Sequence, residues 1–175
     1  GPAHTAGDLL VHLPDARTVF CGDILFIGGT PIIWDGPVAN WIGACDTILG
    51  FDCDVIVPGH GPLTDDAGVL AVRDYLAYIR AEARARFDAG LSARDAAFDI
   101  ALGDYDSWGD AERIAVNVDS LYREYRGDGR VTPVLDLFAL EVGLDVDGGG
   151  APGVGGLELE GSGPVFEGPL GVQVD

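Results

Sequence analysis

The chain has 175 residues, of which 47% are hydrophobic, so it is long enough for one domain with a substantial core. Its 29 acidic residues outnumber ten basic residues, all of them arginine, and the formal net charge is -19. Because such a surface repels phosphate groups, we expect neither a nucleic acid nor an anionic membrane as a partner.

The cellular setting is predicted from apolar runs and cysteines. No apolar run approaches the roughly 20 residues that span a bilayer, and we expect no signal peptide. Cys21, Cys45 and Cys53 are scattered and never form a Cys-x-x-Cys pair. A disulfide framework is therefore not expected, and the predicted location is cytoplasmic.

Residues 8 to 27 are predicted to form a β-hairpin, with apolar alternation, a Pro-Asp-Ala-Arg turn and an apolar return strand. The alternation places His12 on the solvent face. Pairing around the turn sets Asp8 roughly opposite Asp23. The loop that holds His4 then lies past the same end of the hairpin, so His4 and Asp23 are predicted neighbours.

A Gly/Pro-rich loop over residues 28 to 37 follows, and then a helix over residues 38 to 49 with apolar residues near a 3.6-residue period. Residues 54 to 57 read as a strand buried on both faces, which Pro58 and Gly59 are expected to break. His60 therefore follows the carboxyl end of a strand, where α/β sheets place their sites.

The later part of the chain is predicted to be helical and then disordered. Capping residues and apolar periodicity indicate helices over residues 64–90, 92–102, 110–126 and 134–142. From Gly143 onward the chain is acidic and Gly/Pro-rich, and such a segment buries too little apolar surface to order itself. We divide the chain into residues 1–63, a helical region over 64–142 and a tail over 143–175.

Three residues at the ends of apolar runs are candidate metal ligands. They are His4 in His-Thr-Ala-Gly-Asp, Asp23 in Cys-Gly-Asp and His60 in Pro-Gly-His-Gly, and two imidazoles with a carboxylate are ligand types of zinc and iron. The plainer alternatives are a flexible terminal histidine, a turn cap and a loop histidine. We interpret all three as metal ligands. His4 lies within His-Thr-Ala-Gly-Asp, Asp23 follows a glycine with apolar residues on both sides, and the glycines around His60 favour close approach of the backbone to a site.

Two further residues, close in sequence to His4 and Asp23, each have two possible interpretations. Asp8 either orients the His4 loop from behind the ligands or simply starts the hairpin. Cys21, two residues before Asp23, is expected to share its strand face. We interpret Cys21 as a small buried residue, with a thiolate ligand as the alternative.

The order and spacing of the three motifs resemble the C-terminal half of a metallo-β-lactamase-fold hydrolase, a superfamily that includes glyoxalase II and lactonases. The resemblance covers about residues 1–63 and implies an α/β fold, half of an αββα sandwich. It implies that His4 binds one metal, that Asp23 bridges both metals and that His60 binds the second. The implied cofactor is a pair of Zn²⁺ ions, with iron as the alternative.

In the resembled family, hydroxide held between the metals attacks an ester, thioester, lactone or amide carbonyl of a small-molecule substrate. The loop after Asp23 borders the substrate pocket there, so Pro31 and Trp34 are candidate pocket residues, with simple packing as the alternative. The family's other ligands come from a His-x-His-x-Asp-His motif that this sequence lacks. We therefore expect a fragment that is inactive alone and needs a complementing N-terminal half or a longer polypeptide.

Half of a sandwich also exposes an apolar sheet face and an unpaired strand edge, which predicts self-association or association with the complementing half. The alternative function is a non-catalytic binding or regulatory module, or a degraded reading frame derived from the fold. A flavodiiron-like redox role is a third hypothesis, because that family shares the scaffold.

Overall fold

The computed structural model describes residues 2–127. Three strands form one sheet: β1 (Val11–Leu13), β2 (Thr18–Phe26) and β3 (Val55–His60). Strand β2 lies in the middle, antiparallel to β1 and parallel to β3. Four helices complete the fold, with α1 and α2 packed against β2 and against each other, and α4 packed on α2 and α3. The helices are α1 (Val38–Leu49), α2 (Asp66–Asp88), α3 (Ala93–Asp99) and α4 (Ile114–Arg126).

The predicted hairpin is present, with Val11 opposite Phe20 in β2. The observed pairing covers Val11 to Leu13, so the predicted alignment of Asp8 with Asp23 lies beyond the paired residues. The solvent-face prediction for His12 is wrong, because its ring stacks on Phe51 with the centroids 4.2 Å apart. A period of two assigns residues to a shared face, and it does not tell which of the two faces meets the rest of the fold.

The predicted shared face of Cys21 and Asp23 is also wrong. Cys21 is fully buried, whereas the Asp23 side chain is half-exposed. Gly22 lies between them with a φ of 52°, and the pairing of β2 with β3 shifts register at this glycine. A bulge of this kind interrupts the two-residue alternation and re-aims the side chain that follows.

Strand β3 is longer than predicted, because the pairing continues through Pro58 to His60. Proline offers no backbone N–H, but β3 is an edge strand of the three-stranded sheet that residues 2–127 form, so proline is tolerated there. His60 is thus the last residue of β3.

The helices follow their local signals closely. The helix predicted over residues 38–49 is α1, and α2 begins after Asp65, whose side chain accepts from two first-turn N–H groups. Helix α3 ends at Asp99, before the predicted 102, and α4 is preceded by the 3-10 turn Ala111–Arg113. The helix predicted over 134–142 and the tail over 143–175 lie outside the described residues.

The buried core crosses the predicted boundary at residue 63, since it combines residues of β2 and α1 with residues of α2 and α4. Trp41 of α1 lies at its centre, fully buried, and its Nε1 donates to the Ile24 carbonyl at 2.8 Å. None of the helices among residues 2–127 has both the length and the apolar character needed to cross a membrane.

One face of the sheet is left uncovered by the described elements. Large apolar side chains are exposed along it, on β1, on β2 and just before β1. They are Leu9 (67% exposed), Val11 (44%), Leu13 (44%) and Phe20 (45%). We call these four residues the open sheet face. Exposed apolar area of this kind, concentrated in one place, is typical of a surface that packs against something else.

Candidate metal centre

His4 is held in a defined orientation although it lies close to the start of the chain. Its side chain is 6% exposed, and its Nδ1 donates to the Ile32 carbonyl at 2.9 Å. The ring packs edge-on against Trp41, with the centroids 5.3 Å apart. Burial lowers the pKa of His4, chiefly because the charged imidazolium would lose its hydration. A neutral ring with its proton on Nδ1 leaves the lone pair on Nε2 free to bind a metal.

Asp8 braces the loop that carries His4. One of its carboxylate oxygens accepts from the backbone N–H groups of Ala3 and Thr5, at 3.0 and 2.9 Å, and the other accepts from the Thr5 hydroxyl at 2.8 Å. The two residues on either side of His4 are therefore tied to one carboxylate. That placement is what a residue supporting a ligand from behind needs, and the assignment stays a prediction.

Asp23 lies between the two histidines and turns a different oxygen toward each. Its Oδ1 is 3.3 Å from His60 Nε2, and its Oδ2 is 3.8 Å from His4 Nε2. The His60 ring also stacks on Phe26, with the centroids 4.3 Å apart. The three side chains that the sequence singled out thus lie together, with Asp23 just after the Gly22 bulge of β2, His60 at the end of β3 and His4 in the loop before β1.

The strands approach so closely here that Gly59 has no room for a side chain. A Cβ on this residue would lie 2.6 Å from the Gly22 carbonyl carbon and 2.7 Å from its oxygen, and it would also overlap Asp23 Oδ1. The sequence predicts Gly59 as a strand breaker and as a neighbour of His60. Its actual contact is with the bulge that carries Asp23.

The donor types and one spacing fit a metal ion. Two ligands of a tetrahedral Zn²⁺, each about 2.0–2.1 Å from the ion, lie about 3.3 Å apart, which matches the His60–Asp23 separation. Within residues 2–127, however, no group of three or more His, Cys, Asp or Glu side chains converges closely enough to hold an ion by itself. The arrangement is two donor pairs that share one carboxylate, which is fewer donors than a complete coordination shell has.

The other residues that the sequence singled out are Cys21, Pro31 and Trp34. Burial raises the pKa of Cys21 to about 12, so its thiol keeps its proton and is a poor ligand. Pro31 is buried, and its carbonyl accepts from Asn117 at 2.8 Å. Trp34 is half-buried against the core. Their contact with a substrate stays a prediction.

A shallow groove of about 320 Å³ adjoins the candidate centre. Its lining includes His4 and Asp23 at one end and three members of the open sheet face, Leu9, Val11 and Phe20, further along. The polar donors and the uncovered apolar face are therefore continuous.

Comparison with known proteins shows which proteins the first 60 residues resemble. The model of the metallo-beta-lactamase superfamily matches residues 1–60, which include all three candidate ligands. The 2,4-dinitroanisole O-demethylase subunit alpha of Nocardioides sp. (strain JS1661) is 36% identical over 61 residues, 34% of this chain and 19% of its own length. The hydroxyacylglutathione hydrolase of Brucella ovis is 35% identical over 60 residues, 34% of this chain and 23% of its own length.

A solved structure extends the likeness of fold beyond the matched segment. The stereoselective inverting sec-alkylsulfatase from Pseudomonas sp. superposes with a TM-score of 0.56 at 15% identity, over 82% of this chain and 27% of that protein. The chain spans about a fifth of the length of the curated relatives it matches, such as the demethylase subunit and the hydroxyacylglutathione hydrolase named above. The described residues form a mixed α/β fold with the three candidate donors close together beside the sheet. Specifically, the chain contains part of a metallo-beta-lactamase fold, as the sequence predicts.

Proposed function

We propose that His4, Asp23 and His60 form part of the metal centre of a hydrolase, with Zn²⁺ as the preferred ion and iron as the alternative. The observation that carries the proposal is the position of Asp23, which turns one oxygen toward each imidazole. If metal ions bind here, His4 and His60 would each offer an imidazole nitrogen, and Asp23 would offer an oxygen beside either one.

A divalent metal in such a site would lower the pKa of a bound water molecule toward neutrality and so would supply a nucleophile at neutral pH. The residues of this chain have simpler tasks. His4 presents a neutral Nε2, since its Nδ1–H is committed to the Ile32 carbonyl. Phe26 fixes the plane of the His60 ring by stacking. Asp23 contributes the negative charge that offsets a cation.

The proposed substrates are small molecules with an ester, thioester, lactone or amide carbonyl. Supporting this class, relatives of the matched segment are named hydroxyacylglutathione hydrolases. Three donors are fewer than two ions require, so we propose that the isolated chain is inactive and that further ligands come from other polypeptide. The coding sequence directly upstream tests whether the same polypeptide supplies these ligands: a His-x-His-x-Asp-His motif there supports this source, and an immediate stop codon contradicts it.

Zinc titration of the full chain tests the role of the histidines. We expect weak, saturable binding by calorimetry, and His60→Ala should weaken it by at least about tenfold because one of the few donors is lost. His12→Ala is the matched control, since it removes an imidazole of β1 that stacks on Phe51 and is not a candidate ligand. Equal zinc affinity in His60→Ala and wild type would contradict the proposal.

We further propose that the open sheet face packs against the remainder of such a fold, supplied by a longer polypeptide or by a separate one. Three of its four apolar side chains line the groove that adjoins the candidate centre, so polypeptide that covers them is well placed to bring additional ligands. In the isolated chain, the same face is available for self-association.

Light scattering after size-exclusion chromatography checks the role of this face. We expect the wild-type chain to form oligomers that dissociate on dilution, and Phe20→Thr to reduce them because apolar contact area is lost. Phe98→Thr is the matched control, since Phe98 is 77% exposed on α3, away from the sheet. A wild-type chain that is a monodisperse monomer at high concentration would contradict this proposal.

A further inference from the structure

The loop after β2 is fastened to α4 and the turn before it by side chains of one helical face. Three of its backbone carbonyls accept hydrogen bonds from side chains spaced four and three residues apart, which places the donors on the same side of a helix. The bonds run from Arg113 Nη1 to the Thr30 oxygen (2.9 Å), from Asn117 Nδ2 to the Pro31 oxygen (2.8 Å) and from Ser120 Oγ to the Ile33 oxygen (2.7 Å).

Asn117 is the central member of this set. It is fully buried, its Oδ1 accepts from the Ile33 N–H at 2.8 Å, and its Nδ2 also donates to the Tyr75 hydroxyl at 3.0 Å. One amide therefore binds the backbone on both sides of Ile32. A buried amide with partners on each of its polar atoms has little freedom to move, because any displacement leaves a polar group unpaired.

Asn117 binds the backbone of Pro31 and of Ile33, and the carbonyl of Ile32 lies between them. This Ile32 oxygen accepts a hydrogen bond from His4 Nδ1 at 2.9 Å. With Pro31 and Ile33 fixed by Asn117, the direction of the Ile32 oxygen is fixed as well. A neutral imidazole has one N–H, so an acceptor placed at Nδ1 keeps the hydrogen there. The lone pair then stays on Nε2, the nitrogen that faces Asp23.

We propose that Asn117 is a positioning residue that selects the Nδ1–H tautomer of His4 through the backbone of the loop. Helix α4 lies outside the segment that the family model matches, so this control comes from the helical region rather than from the matched core. The consequence for metal binding rests on the proposed function. The tautomer preference does not rest on it, and it is measurable in the metal-free protein.

The test is two-dimensional ¹H–¹⁵N spectroscopy of the imidazoles in the full chain, labelled at histidine and kept free of metal by a chelator, at about pH 8, above the ordinary imidazole pKa. The sequence has only three histidines, and loss of signals in His4→Gln assigns the His4 ring. We expect His4 to have its hydrogen on Nδ1 in the wild type. Asn117→Ala should lower the ratio of the Nδ1–H to the Nε2–H tautomer of His4 about fivefold, which corresponds to weakening one hydrogen bond.

Tyr125→Phe is the matched control, because it removes a hydroxyl of α4 that donates to the Arg80 carbonyl and not to the loop. This variant should keep the wild-type tautomer ratio. If Asn117→Ala does not fold, Ser120→Ala decides, since it removes a single loop contact and little volume. Either of two results would overturn the proposal. One is a wild-type His4 with its hydrogen on Nε2, and the other is a wild-type tautomer ratio in whichever of Asn117→Ala and Ser120→Ala is the folded variant tested. Absence of zinc binding alongside the expected tautomer shift would refute the proposed function and leave this inference intact.

Discussion

Asp23→Ala should weaken zinc binding by the full chain by at least about 100-fold, the largest effect expected of any single substitution at the candidate centre. Losing even a residue that only supports a ligand typically costs 10–100-fold in metal affinity, and Asp23 contacts both imidazoles itself. The free energy of unfolding should change by less than about 0.5 kcal/mol, since the side chain is half-exposed. Calorimetric titration and urea unfolding measure the two quantities.

The matched control for this variant is Asp15→Ala, which removes an exposed carboxylate from the turn between β1 and β2. Both variants change the net charge by one, so general attraction of cations to this acidic chain is the same in each. Zinc affinity should stay at the wild-type level in Asp15→Ala. Equal losses in both variants would mean that zinc binds through diffuse charge and that Asp23 has no special role.

Gly59→Ala should both destabilise the fold and disrupt the candidate centre. The added methyl group meets the Gly22 backbone and the Asp23 carboxylate, and backbone cannot move aside as a flexible side chain would. We expect a loss of about 1–3 kcal/mol in the free energy of unfolding, the usual cost of overpacking. Zinc affinity should fall by at least about tenfold, because Asp23 is displaced from His60.

Gly43→Ala is expected to have the opposite effect on the stability of the fold. Gly43 lies within α1, and a Cβ there would have nothing within 4 Å, so alanine should stabilise the chain by about 0.5–1 kcal/mol. Thermal unfolding of the two variants side by side separates a crowded glycine from a permissive one. A Gly59→Ala protein that matches the wild type in stability and in zinc affinity would show that the close approach of β3 to the Gly22 bulge is unimportant.

Local signals in the sequence predict much of this fold. Helix α1 follows from its apolar period, and Asp65 and Ser92 cap the next two helices as their side chains and positions indicate. The hairpin turn predicts the register that brings Asp8 and Asp23 to the same end. In each case the determining interactions lie within a few residues of one another.

The errors arise where the determining contacts are distant in sequence. The bulge at Gly22 depends on how β2 pairs with β3, which no alternation pattern records, and it separates the faces of Cys21 and Asp23. His12 is turned inward by Phe51, a residue that follows α1. The hold of Asn117 on Pro31 spans 86 positions, so the sequence offered no signal for it beyond a polar residue on an apolar helix face.

Anomalous diffraction at the zinc absorption edge, from crystals of the full chain grown with excess Zn²⁺, tests the metal assignment most directly. We predict a zinc peak within about 2.0–2.2 Å of an Asp23 carboxylate oxygen and of Nε2 of His4 or His60. Zinc bound only at other carboxylates, or the two imidazoles turned away from Asp23 in the crystal, would contradict the account.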